Sequence, residues 1–467
     1  MFRQIAHNSL IQISGKVIST ALGLLIVSLM TRGLGAAGFG QYVSVVAYLQ
    51  FFGILVDFGL TMTLARELGR GEFASETVAG NAFSFRSLTA GGAFILAPIV
   101  AWLLPYAVEI KIAITLTSLA FWATSVQQSL VGLFQYKLAT WSLTIVEILS
   151  RMLLLLGTWW LSRQQSDFQA YLYWLTIINI ITLISTYLAA RQLIHFRWTI
   201  NKPVWHKLWQ ATWPITVTII LNLFYFKADT IILSWYKTAA EVGLYGAAYK
   251  VLEVLLALPA IVGGLVLPWA ARAYARQDKS QIQKIYSGTF DTMLAAGLVV
   301  IIGSWLLGVP VITWLAGTDF AIAGRLVGIL GLATALIFIG NATGYIIFAL
   351  DQQKKMIPYY AAAALIGLAG YFIFIPSYSY WGAAWMTVVV EFFMAAVGFT
   401  VLWRQQLRPS PARWPKILLL TLLSGTILLY AWPWPIKITL AAAVYLILLK
   451  LFKLWPRGLT AKTDLEY

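Results

Sequence analysis

Apolar runs of about twenty residues recur along the whole chain, separated by short polar stretches rich in Gly, Pro, Lys and Arg. A run of that length, wound as an α-helix, covers the roughly 30 Å of hydrocarbon in a bilayer. The pattern predicts about fourteen spans, placed at 9–31, 40–64, 81–104, 112–133, 141–162, 170–190, 211–233, 243–270, 288–315, 324–349, 356–376, 381–402, 415–432 and 435–452. The runs are continuous, whereas a membrane β-barrel shows short segments of alternating polarity. The expected fold is therefore all-α, a polytopic membrane protein. The polar start Met1–Gln12 leads into a full-length apolar span without a small-residue cleavage site, so the first helix is expected to stay as an anchor.

The longest polar interruption is Arg191–Gln210, where Arg191, Arg197, Lys202 and Lys207 interleave with Trp198, Trp205 and Trp209. Cations among interfacial aromatics suit a cytoplasmic linker lying on the headgroup layer. The linker divides the first twelve spans into six and six. The expected organisation is an N-terminal six-helix lobe over 1–195, an interfacial linker over 196–210, a C-terminal six-helix lobe over 211–405, and helices 13 and 14 with a cytoplasmic tail over 406–467. The halves echo each other. Ala36-Ala37-Gly38-Phe39-Gly40-Gln41-Tyr42 follows span 1 and Ala239-Ala240-Glu241-Val242-Gly243-Leu244-Tyr245 follows span 7, both reading A-A-x-x-G-x-Y. Six is even, so both halves cross in the same direction, as a parallel repeat about an axis along the membrane normal. Trp432-Pro433-Trp434-Pro435 makes a tight turn between the last two spans, which read as an appended hairpin.

Composition sharpens this picture. Of 467 residues, 60% are hydrophobic and 11% charged, against about 25% charged in soluble domains. The absence of cysteine excludes disulfides and cysteine-ligated zinc. His7, His195 and His206 are too few and too scattered for a metal site, so none is expected. A net charge of +16 would suggest nucleic acid in a soluble protein. Here most Lys and Arg residues fall at span ends on the side of the N-terminus, with Arg151 and Lys250 deep in spans. That is the positive-inside pattern with both termini cytoplasmic, and it accounts for the charge without a nucleic-acid partner. The outer loops are short, so a membrane-embedded sugar polymerase or ligase has no loop on which to build a site, and no enzyme is expected.

Ionisable groups at bilayer depth cost about 2.5–3.5 kcal/mol on insertion scales, so each is a functional candidate. On span 1, Asn8, Gln12, Lys16, Ser19 and Gly23 share one helical face. Span 2 has Gln50 and Asp57. Span 5 carries Thr140, Thr144, Glu147 and Arg151; span 7 carries Thr218, Asn222, Tyr225 and Asp229; span 8 has Tyr245, Tyr249 and Glu253 with Lys250 beside them. Such stripes avoid lipid, which favours a shared polar cavity. Bland alternatives stand beside each. Glu147 and Arg151, at i and i+4, can neutralise one another, as can Lys250 and Glu253 at i and i+3. Lys16 has no acid at helical spacing on its own span. Asp57 suits helix packing or ion coupling equally, and Arg86 near the start of span 3 can snorkel to the interface. Glu391, one turn after Thr387 on span 12, is isolated.

Arg32-Gly33-Leu34-Gly35-Ala36-Ala37-Gly38-Phe39-Gly40-Gln41-Tyr42 resembles the R-x-L-G-x-x-G-[FY]-G-x-Y signature of Wzx-type oligosaccharide flippases. These are polysaccharide biosynthesis proteins of the multidrug/oligosaccharidyl-lipid/polysaccharide (MOP) exporter superfamily. Asp57-Phe58-Gly59-Leu60 with Arg66-Glu67 resembles the family's D-x-G-L…R-E stretch, and Lys227-Ala228-Asp229 with Val242-Gly243-Leu244-Tyr245 its second-half counterpart. Gly33 stands where a bulky apolar residue is commoner. The resemblance implies two six-helix lobes around a central cavity, rocking to give alternating access across the cytoplasmic membrane. The cargo it implies is a polysaccharide or O-antigen repeat unit linked by diphosphate to a polyprenol.

On that resemblance Lys16 and Lys250 would meet the diphosphate, with Arg86, Arg151 and Lys227 as further cations and Gln12 and Asn222 as polar contacts. Asp57, Glu147, Asp229 and Glu253 would carry a coupling proton or Na+, with no other cofactor. The implied partners are the lipid-linked glycan, membrane lipid and polysaccharide assembly proteins. Two rivals come from the same superfamily. A lipid II flippase shares fourteen spans and a cationic cavity, and the glycine-rich signature argues for the oligosaccharide branch. A multidrug/cation antiporter would have acids dominating its cavity and normally twelve spans.

Overall fold

The computed structural model describes residues 2–57, 60, 63–64, 67–68 and 72–452, without the side chains of 2–13, 57, 211 and 213–226. Among the described residues there are thirteen α-helices and no strand. They are α1 (Phe2–Asp57), α2 (Ser75–Leu103), α3 (Val108–Tyr136), α4 (Thr140–Arg163), α5 (Phe168–Leu193), α6 (Lys202–Tyr236), α7 (Ala239–Leu255), α8 (Ala257–Ala275), α9 (Lys279–Ala316), α10 (Ala321–Ala349), α11 (Ile357–Arg404), α12 (Trp414–Gly425) and α13 (Trp434–Leu451). Ten helical stretches among the described residues are long and apolar enough to cross a membrane. The all-α polytopic membrane fold read from the apolar runs is the one observed. The predicted tail beyond residue 452 lies outside the described residues.

Two helices each hold two predicted spans. α1 changes direction at Gly35, whose φ of 64° is a conformation glycine enters at no steric cost. α11 does the same at Ser379, φ 52°, a left-handed residue that carries a side chain. The predicted span 243–270 is broken in the opposite sense, into α7 and α8 at Leu256. Pro259 explains the break: it lacks an amide N–H, and its ring would clash with the carbonyl of Leu255 in a continuous helix.

The chain divides into two compact units, Met1–Gly243 and Leu244–Tyr467. In the first, two apolar cores are stacked along the helices. One gathers Leu60, Phe85, Phe134, Phe196 and Leu208; the other gathers Val45, Leu49, Phe94, Ile114 and Leu172. Small residues bring helices together elsewhere. A Cβ on Gly15 would collide with Thr144 of α4, and one on Gly157 with the Trp174 ring of α5. Close approach at glycine is how membrane helices gain packing without a hydrophobic drive between them. At Gly33 an added Cβ would sit 2.7 Å from the Tyr171 hydroxyl and 2.8 Å from that of Ser162. A bulky residue there has no room in this chain.

The linker is fixed to the first unit along one edge. Asn81 on α2 donates its amide to the Thr199 hydroxyl at 3.2 Å, and its carbonyl oxygen accepts the Asn201 N–H at 2.6 Å. Ser84 donates to the Thr199 carbonyl. Ile194 and Phe196 are buried while Trp198 and Ile200 stay exposed. Lys207 pairs with Glu67 at 3.3 Å and with Glu72. The hydrogen bond that Lys207 donates to Glu72, and after it the one to Glu67, raises its pKa above the ordinary value.

In the second unit α10 is the most enclosed helix, packed on α9 through Gly308 and Gly324, each against the other's backbone. α12 and α13 form a hairpin whose Thr421 hydroxyl bonds the Tyr445 hydroxyl at 3.3 Å. Trp414 ties the start of α12 to α9. Its indole N–H donates to Asp291 at 3.2 Å, and its ring stacks on Phe290 at 5.3 Å.

Candidate functional site

The polar stripes predicted on spans 1 and 5 face one another in the first unit. The guanidinium of Arg151 lies against α1 at Gly23, where an added Cβ would be 3.8 Å from its Nη1. Lys16 on α1 and Arg151 on α4 both act electrostatically on Glu147. Arg151 also acts on Tyr42, the last residue of the glycine-rich signature. Lys16, Glu147 and Arg151 are all exposed. Among the described residues, no ion pair within 4 Å joins Glu147 to either cation, so the i, i+4 neutralisation of Glu147 by Arg151 is not formed. A cluster of exposed charges at span depth must be hydrated, because hydrocarbon would leave each charge unsatisfied.

In the second unit, Lys250 donates to Glu253 at 2.7 Å, a half-buried ion pair along one turn of α7. Tyr245 and Tyr249, predicted on the same polar face, are buried, with ring centroids 5.7 Å apart. The polar face of α7 therefore narrows to the ion pair.

The other candidates are placed differently. Arg86 is 1% exposed. Its Nε donates to the Ser125 carbonyl at 3.1 Å and its Nη1 to the Val56 carbonyl. It does not snorkel; it ties together α1, α2 and α3 from inside. Asp229 is fully buried and accepts from the Thr230 N–H at 2.6 Å and the Thr230 hydroxyl at 3.2 Å. Lys227 is half-buried two residues before it. The side chains of Gln12, Asp57 and Asn222 lie outside the described residues.

Two further polar clusters join residues that are distant in sequence. Asn81 with Ser84 looks like an ordinary polar stretch of a span until the linker is laid against it. Asp291, 3.7 Å from Arg413, gave no signal because its partners are more than a hundred residues away. No group of three or more His, Cys, Asp or Glu side chains among the described residues could hold a metal ion.

Residues 5–274 match the model of the family described as "Polysaccharide biosynthesis protein". The chain belongs to that family. No curated protein is similar to it at a significant level. Among solved structures, the lipid II flippase MurJ in an inward closed conformation is similar at 16% identity and TM-score 0.79, over 95% of this chain and 98% of that one. An inward-facing multidrug resistance MATE family transporter of the MOP superfamily is similar at 12% identity and TM-score 0.70, over 83% of this chain and 94% of that one. A MOP superfamily transporter from Pyrococcus furiosus is similar at 13% identity and TM-score 0.55, over 86% of this chain and 95% of that one. This family member has the fold of MOP superfamily transporters.

Proposed function

We propose that this chain is a flippase that moves polyprenyl-diphosphate-linked oligosaccharide from the cytoplasmic to the outer leaflet of the cytoplasmic membrane by alternating access. The observation that carries the reading is the exposed, electrostatically coupled cluster of Lys16, Glu147 and Arg151 at span depth, in a chain of the polysaccharide biosynthesis family. A diphosphate brings at least two negative charges and needs cations that stay charged inside a membrane. Arg151 offers a planar fork for two phosphate oxygens, and Lys16 a compact point charge. Glu147 competes with the phosphate for both, which keeps binding reversible.

Each sugar hydroxyl stripped of water without a partner costs about 1–3 kcal/mol, so a glycan needs a polar lining. Ser19, Thr144 and Tyr42 flank the cations on the same pair of helices, and Gln12, Asn222 and Lys227 are proposed to extend that lining. Lys250 engages phosphate once it leaves Glu253, and neutralising Glu253 with a proton or Na+ would release it. Asp57, Glu147 and Asp229 are the further candidates for ion coupling. No bond is made or broken in this cycle. Arg86 is proposed to act by holding α1 to α3, not by touching cargo.

A second reading is lipid II as cargo, favoured by the fold likeness to MurJ. It shares the polyprenyl diphosphate and differs in the glycan. The test is complementation of strains lacking either flippase. Wild-type protein should rescue the oligosaccharide flippase mutant, and Lys16→Ala and Arg151→Ala, expressed at equal level, should not. Rescue of only the lipid II flippase mutant would replace the first reading with the second, and full activity of both variants would remove the phosphate-binding assignment.

A further inference from the structure

Glu391, on the second arm of α11, is 6% exposed and has no hydrogen bond or ion pair among the described residues. Among the described residues no cation lies within salt-bridge distance of it. The apolar stretch 380–403 contains no other Asp, Glu, Lys, Arg or His, and neither does 326–349 of α10, the helix packed against α11. The hydroxyl-bearing groups around it are tyrosines and a threonine. Tyr360, in the first turn of α11, is in electrostatic contact with the carboxyl, and Tyr371 shares a 3.4 Å hydroxyl contact with Thr387, one turn before Glu391.

An ionised carboxylate held in this position would carry its full desolvation cost with nothing to offset it. A buried carboxyl without partners is a poor structural element, because an apolar side chain of the same volume would pack there at no such cost. Binding a proton removes the charge. Tyr360, which the carboxyl acts on electrostatically, is half-buried and lies five residues from the exposed Lys355. We propose that Glu391 is a proton-binding site of the second unit, loaded through Tyr360 and emptied when the transport cycle admits water to it. The proposal rests on the transport reading above and adds to it the identity of one coupling group and its ion.

Two measurements on the full-length protein in lipid separate the claims. Infrared difference spectra recorded across a pH titration should contain a protonated-carboxyl band that titrates in wild type and disappears in Glu391→Gln. In proteoliposomes carrying a fluorescent polyprenyl-diphosphate glycan, an imposed pH gradient should change the wild-type flipping rate severalfold. Glu391→Gln should flip at a rate independent of the gradient, and Tyr360→Phe should respond to it more slowly. A band that persists in Glu391→Gln, or a gradient response unchanged in that variant, overturns the proposal. Absence of flipping by wild type, with the infrared band present, would instead count against the transport reading and leave the proton site standing.

Discussion

Gly40 and Gly243 are in reciprocal backbone contact. Gly40 lies against the Ala239 carbonyl and the Gly243 amide, while Gly243 lies against the Ala36 carbonyl and the Gly40 amide. These are equivalent positions of the two A-A-x-x-G-x-Y copies, so the sequence repeat meets itself as a self-complementary contact. A side chain at either position would have to displace backbone. Over-packing of this kind costs about 1–3 kcal/mol. Gly40→Ala and Gly243→Ala should each lower the melting temperature in detergent by several degrees. Because both break one contact, the double variant should lose clearly less than the sum of the two. Additive losses would show that the two glycines act independently.

Arg86 donates to the Val56 and Ser125 carbonyls from a buried position. Removing a buried donor leaves each carbonyl unsatisfied at about 1–3 kcal/mol. Arg86→Met keeps the volume and Arg86→Lys keeps the charge, but neither can serve two carbonyls with a planar fork. Both should reduce thermal stability, while the folded fraction binds a fluorescent pyrophosphate probe as wild type does. Wild-type stability with lost probe binding would put Arg86 in contact with cargo instead.

The Lys250–Glu253 pair is half-buried and lies along one helix turn. Such pairs contribute at most about 1 kcal/mol to folding. Glu253→Gln should therefore leave the melting temperature nearly unchanged while raising affinity for a polyprenyl diphosphate severalfold by calorimetry, because Lys250 is released. Lys250→Ala should lower that affinity. Unchanged affinity in both variants would make the pair purely structural.

Asn81 holds the linker through Thr199 and Asn201. Asn81→Ala leaves the Asn201 N–H without its acceptor, at about 1–3 kcal/mol. Hydrogen exchange of the Asn201 amide should accelerate by at least tenfold, with the spans unaffected. Lys207 adds to the same attachment, and its raised pKa sets the sign of the pH response. A lysine whose folded pKa is raised contributes fully below its ordinary value of 10.5 and loses that contribution as pH rises through the raised value. Linker protection relative to the spans should fall in alkali above 10.5, and less so in Lys207→Ala.

The spans were legible because the bilayer imposes their length: about twenty apolar residues must cover the hydrocarbon wherever they occur in the chain. Stripe composition was legible too, since helical periodicity alone puts Lys16 with Gly23 and Glu147 with Arg151 on common faces. The breaks at Gly35 and Leu256 follow from local chemistry, one from a left-handed glycine and the other from Pro259.

What each charge does was decided by neighbours that sequence spacing does not name. Lys250 and Glu253 form their i, i+3 pair, whereas Glu147 and Arg151, equally well spaced, do not, because Arg151 turns to Gly23 and Tyr42 on α1. Arg86 is sealed between three helices, while Lys16 at similar span depth is open to water. The linker is held by Asn81 from 118 residues away. Local sequence determines which segments are helical and which faces are polar. Only the packing of those faces decides whether a charge is paired, buried or hydrated, because a membrane charge takes its energy from its partners more than from its own helix.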